Sequence, residues 1–221
     1  MTPFERLSAQ TESARAGLLC APLITQCLQG QVSLESYRAF LAQAYHHVRH
    51  TVPLLMLLGG RLPARLDWLR TAVAEYVEEE LGHEEWILND LAATGADAQA
   101  VRHGRPDLPA ELMVAYAYDT IDRGNPAAFF GMVFVLEGTS VALALAAADK
   151  IQAGLDLPDR AFSYLRSHGT LDQAHTQHLA NVINRMEDSD VQAVIHAAQV
   201  FYKLYGDIFR ALPVQEDALC N

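Results

Sequence analysis

Between Ala127 and Ala148 the chain passes through an apolar stretch whose only charged residue is Glu137. The stretch is long enough to span a bilayer, which takes about 20 residues. A carboxylate at mid-membrane costs roughly 2.5 to 3.5 kcal/mol, however, and Gly131, Gly138, Thr139 and Ser140 interrupt the apolar run. The other candidate helices are amphipathic, so the stretch reads as the central helix of a bundle, with no membrane partner. Asn125 is placed to cap it and Pro126 to occupy its first turn. Glu137 falls on the same face as Phe130, Val133, Phe134 and Val141. A buried carboxylate is expensive without a partner, which leaves a metal ligand, a catalytic acid or a protonated group hydrogen-bonded to a neighbouring helix.

Composition narrows the remaining classes. Of the 221 residues 51% are hydrophobic and 19% charged, enough apolar surface for one packed domain over residues 1–221. The net charge of −11, from 16 basic and 27 acidic residues, argues against a nucleic-acid partner. Cys20, Cys27 and Cys220 form neither a disulfide framework nor a metal-binding pair, which fits a reducing compartment. Residues Met1 to Gln10 lack the features of an export signal, so the expected location is the cytoplasm.

Apolar residues recur at intervals of three and four nearly throughout, and no segment alternates as a strand would. The fold class is all-α. Helices are expected from Ser33 to Gly59, from Arg65 to Thr94 with Gly95 as its stop, from Glu111 to Ile121, and through the apolar stretch to a break at Gly154. A short helix up to Ser167 follows, then a helix opened by a capping box at Thr170 to Gln173, and a last one from Ser189.

Projected on these helices, few ionisable residues enter the buried stripes. Glu80 lies near the centre of one, flanked by Val73, Tyr76 and Ile87, with His83 one turn on. Glu-x-x-His is the spacing by which di-iron bundles offer a carboxylate and an imidazole together. Glu84 also enters the stripe as a rival or additional ligand. A second cluster, His168, Asp172 and His175, has spacings of four and three, with His178 as competitor. With Glu137, these clusters supply three carboxylates and three imidazoles from three helices. That set suits two Fe(2+) ions, with manganese possible, better than zinc, copper or calcium.

The order Glu80-x-x-His83, then an isolated Glu137, then His168-x-x-x-Asp172-x-x-His175 resembles the haem-oxygenase-like di-iron oxidases and oxygenases, from the Tyr37-Arg38-Ala39-Phe40-Leu41 stretch to the Met186 region. The spacing is most similar to that of the alkene-forming fatty-acid decarboxylases of that family. A second branch, which includes the p-aminobenzoate synthases, takes its first glutamate seven residues before the histidine, where this chain has Tyr76; this points to Glu80 as the ligand.

The resemblance implies a haem-oxygenase-like bundle of about seven to eight helices, a homodimer, and an enzyme that activates O2 to oxidise or oxidatively cleave a small organic substrate. In that reading Glu80 and His83 hold one ion, Asp172 and a histidine hold the other, and Glu137 could bridge. Phe130, Val133 and Phe134 would wall an apolar substrate pocket, with Tyr76 and His47 at its edge. His46 and His50 are expected on a solvated or interface face. A thiaminase-type hydrolase, a cofactorless oxidase of the pyrroloquinoline-quinone synthase type and a non-catalytic iron-binding protein are the alternatives.

Overall fold

In the computed structural model the described residues are 1–215, of which 170–175 are described by backbone alone. They form eleven α-helices, α1 (Pro3–Leu19), α2 (Pro22–Leu28), α3 (Leu34–Val48), α4 (Thr51–Arg61), α5 (Leu69–Glu80), α6 (His83–Ala93), α7 (Ala98–His103), α8 (Leu108–Asp122), α9 (Phe130–Leu155), α10 (Ser163–Asn184) and α11 (Asp188–Ala211). Single 3₁₀ turns precede α5, α9 and α10. The all-helical class holds among the described residues, and the number of helices exceeds the seven to eight expected because two expected helices are each divided and α1, α2 and α7 are additional.

The first two helices were not foreseen, yet their starts are written locally. Thr2 and Glu5 form a reciprocal capping box with Pro3 in the first turn of α1, and Pro22 opens α2. The helix expected from Ser33 to Gly59 divides at Arg49 and His50. Pro53 accounts for the division: in an unbroken helix its ring would collide with the Arg49 carbonyl, whereas within the first turn of α4 it is tolerated.

The helix expected from Arg65 to Thr94 divides at Leu81, which is extended, and Gly82, at φ +87°. Only glycine adopts that conformation without penalty. Conversely, the break expected before Thr170 does not exist, and α10 runs unbroken through it. Gly95, at φ +80°, ends α6 as anticipated.

α9 is the spine. The segment Pro126–Leu155 is long and apolar enough to cross a membrane, but half of its most apolar window is buried within the bundle, where α10 and α11 pack against it. Two glycines set these contacts. A Cβ on Gly131 would lie 2.7 Å from the backbone of Val194 and Ala198 on α11, and one on Gly169 of α10 would lie 2.7 Å from Leu145. At the start of α9, Asn125 caps the 3₁₀ turn and also donates to Asp190, a fully buried carboxylate that accepts from Arg65 at 2.8 Å.

Candidate metal centre

The break between α5 and α6 builds the first half of the site. Glu80 is the last residue of α5 and His83 the first of α6, so the pair does not share a helix face as the spacing suggested. The turn through Gly82 nevertheless brings His83 Nδ1 to 3.1 Å from Glu80 Oε2. His83 is buried and Glu80 nearly so, with 13% of its side chain exposed. Trp86, one turn along α6, stacks on the His83 ring at 3.9 Å and holds its plane.

His168 arrives from α10. Its ring stands edge-on to His83 at 4.9 Å and to Tyr164 at 4.8 Å. Ligand-type atoms of Glu80, His83 and His168 all lie within 4.8 Å of one another. The start of α10 has no side-chain cap of its own. Asp90 of α6 supplies one, accepting from Ser163 N at 3.0 Å, Ser163 Oγ at 2.5 Å and Tyr164 N at 2.9 Å. Burial pushes the Asp90 carboxyl above its ordinary value against the pull of these donors. The helix that begins with His83 thus also anchors the helix that carries His168.

Glu137, buried on α9, lines the same cavity as Glu80, His168, Tyr76 and His47. Burial raises the Tyr76 phenol far above its usual range, and the Glu137 carboxylate raises it further, so Tyr76 keeps its proton beside an acid. His47 is 2% exposed, and burial, then His168, His50 and His46, push it down to about 3. Its ring stands edge-on to Tyr205 at 5.8 Å, and its Nδ1 has no hydrogen-bond partner among the described residues.

Other expected residues are placed differently. Val133 lines the cavity, whereas Phe130 turns its ring to Tyr76 and Phe134 packs between Phe4 and Tyr202. Residues within about one turn of each other on α9 point to different neighbours because α11 packs against one side of this helix. Glu84 stays outside the converging group, and His178 packs on Tyr76 with its Nε2 3.6 Å from Glu75. His46 is buried rather than solvated, and His50 Nδ1 lies 3.1 Å from the Tyr118 hydroxyl. The side chains of Asp172 and His175 lie outside the described residues.

Trp86, Tyr164 and Asp90 were not anticipated. Asp90 was discoverable, since it lies two turns after His83 and so on the same face of α6.

The donor chemistry fits iron. One carboxylate and two imidazoles converge, the set that non-haem Fe(II) sites use while leaving coordination positions open. The cavity that Glu80 and His168 line is largely apolar, which strengthens charge interactions there.

The class that fold and site define is an all-helical bundle with a converging group of ligand-type side chains that could hold a metal. The fold is that of a domain of unknown function with a heme oxygenase-like fold from Shewanella denitrificans, matched at TM-score 0.83 and 23% identity over 93% of this chain and 90% of that one. A TenA homolog from Pseudomonas syringae matches at TM-score 0.78 and 14% identity, over 93% and 90% of the two chains. Heme oxygenase from Leptospira interrogans matches at 0.77 and 14%, over 96% and 100%. No curated protein matches the chain. A family model described as iron-containing redox enzyme matches residues 38–206, and the chain belongs to that family.

Proposed function

We propose that this chain is a non-haem di-iron oxidase or oxygenase that uses O2 to oxidise or oxidatively cleave a small organic substrate with an apolar portion. The observation that carries this reading is the convergence of Glu80, His83 and His168 within 4.8 Å, two of which, Glu80 and His168, line a largely apolar cavity together with Glu137. Membership of an iron-containing redox family supports the choice of metal. Bound iron would supply the O2 and one-electron chemistry that no side chain offers.

Glu80, His83 and His168 would hold iron, with Glu137, Asp172 and His175 supplying the further ligands of a two-iron centre. Trp86 fixes the plane of the His83 ring, and Asp90 fixes the start of α10 and with it His168. Tyr76, kept protonated, can donate to the Glu137 carboxylate and hold its orientation. The largely apolar lining favours a substrate with an apolar portion. A homodimer in the cytoplasm completes the reading.

Anaerobic Fe(II) titration followed by O2 exposure tests it. Two irons per wild-type chain and iron-dependent O2 uptake are expected, both diminished in Glu137→Ala and His168→Ala. Binding of less than one iron, unchanged by either substitution, would sink the proposal.

A further inference from the structure

One part of the cavity wall is built unlike the rest. Leu23, Ile24, Cys27 and Leu28, four of the seven residues of α2, line the cavity. Every other α-helix that contributes to the lining has eleven residues or more. Leu28 is 45% exposed and is the one exposed member of the lining among the described residues. It touches the cavity and solvent at once, so the interior lies nearest to water at α2.

A helix this short does not hold itself. Isolated helices below about 12 residues are marginal in water, and no side chain caps the start of α2. It is joined to α1 through extended Ala21 and to α3 through Gly30, at φ +74°, so it continues neither neighbour. Packing against α9 and α11 gives it apolar support. Its polar support comes from Gln26, which is buried and lies about 130° round the helix from the middle of the cavity face. Gln26 Nε2 donates to the Gln215 carbonyl at 2.9 Å, and Gln26 Oε1 accepts from the Gln215 N–H at 3.3 Å. Among the described residues these are the only side-chain hydrogen bonds that tie α2 to a distant part of the chain, since the Thr25 hydroxyl bonds back to Ala21.

The two sides of this clip differ in firmness. Gln215 follows the long helix α11 through buried Leu212 and through Val214, which packs on the core. That side is fixed to the bundle, whereas the other side is a seven-residue helix. Gln215 is itself exposed, so water can take over both hydrogen bonds when they break, and exchange of this kind costs little net free energy.

We propose that α2 is the door to the cavity and that the paired hydrogen bonds between Gln26 and Gln215 are its latch. A molecule enters where Leu28 reaches the surface, once the latch breaks and α2 moves away from α9. The proposal concerns access alone, goes beyond the oxidase reading and does not depend on iron.

A thiol inside the cavity reports entry. Met132 is buried and lines the cavity from α9, and Met132→Cys in a full-length chain carrying Cys20→Ser, Cys27→Ala and Cys220→Ser supplies the sole thiol. Its rate of reaction with N-phenylmaleimide is measured together with hydrogen exchange of the α2 and α9 amides. Gln26→Leu should raise both the labelling rate and α2 exchange about tenfold while α9 exchange stays unchanged. Gln215→Pro removes the N–H and keeps the carbonyl, and should raise both about threefold. Gln215→Ala keeps both backbone partners and should behave as the parent chain. The same series with Cys27 as the sole thiol gives an independent reading from the door itself, because burial pushes that thiol up to about 11 and slows its reaction while α2 is closed. The inference is overturned if Gln26→Leu leaves labelling or α2 exchange at the parent rate. It is equally overturned if α2 and α9 amides speed up together, which would make the pair a brace of the whole fold, or if Gln215→Ala acts as Gln26→Leu does.

Discussion

His83 Nδ1 lies 3.1 Å from Glu80 Oε2 although the two residues belong to different helices joined through a left-handed glycine. Nothing lies within 4 Å of the position a Cβ would take on Gly82, so Gly82→Ala meets no steric clash and suffers only from its φ of +87°. The expected cost is about 1–2 kcal/mol of stability. Because the turn sets the angle between the two ligands, Fe(II) affinity should fall as well, by about tenfold or more. Thermal melting and anaerobic titration measure the two effects separately.

Asp90 accepts three hydrogen bonds at the start of α10. Asp90→Ala strands those donors in a buried place and should cost about 2–4 kcal/mol. Ser163→Ala removes one of the three donors to Asp90 and leaves the two backbone ones, and should cost about 1 kcal/mol. If Asp90 also locates His168, its removal weakens iron binding more than a variant equally destabilised elsewhere. Comparing iron affinity at matched stability decides this.

Trp86 stacks on the His83 ring at 3.9 Å. Partners that orient a ligating histidine typically contribute about 10- to 100-fold in metal affinity. Trp86→Ala is expected to lose about tenfold in Fe(II) affinity, and Trp86→Phe, which keeps a flat ring, to lose less. Equal losses in the two variants would show that packing bulk rather than stacking is what the site needs.

Asp190 is fully buried, and its hydrogen bond from Arg65 holds its carboxyl below the ordinary aspartate value. A depressed folded value means that its contribution is present above about pH 4, the unfolded range. It is lost as pH falls from there through the folded value. Asp190→Asn should destabilise the protein by about 2 kcal/mol at pH 7, because Arg65 is partly exposed and its solvation softens the loss. The variant should also show a shallower decline of melting temperature on acidification than the wild type.

The apolar spine and its lone Glu137 were legible because a charge in an otherwise apolar helix violates the pattern that burial imposes. The helix breaks were less so, since apolar spacing continues across Arg49–His50 and Leu81–Gly82 and periodicity alone cannot see a change of direction. Pro53 and Gly82 were the signals, and each acts through backbone sterics rather than hydropathy. Thr170 to Gln173 misled in the opposite sense: a capping pattern is local, and it yielded to the continuous packing of α10 on α9. Phe130 and Phe134 show a further limit, because which side of an all-apolar helix faces a cavity depends on neighbours distant in sequence. The part of the cavity lined by Ala144, Ala147 and the α2 leucines had no sequence signature, as each of these reads individually as ordinary core.

The close seat of Gly131 against Val194 and Ala198 has a temporal consequence. α11 is the last helix among the described residues, and α9 is the one least suited to contact with water. During vectorial synthesis α9 emerges long before its cover does, so it must wait, with its apolar side uncovered, for residues more than fifty positions later. The interior that holds Glu137 is therefore completed late, when α11 docks.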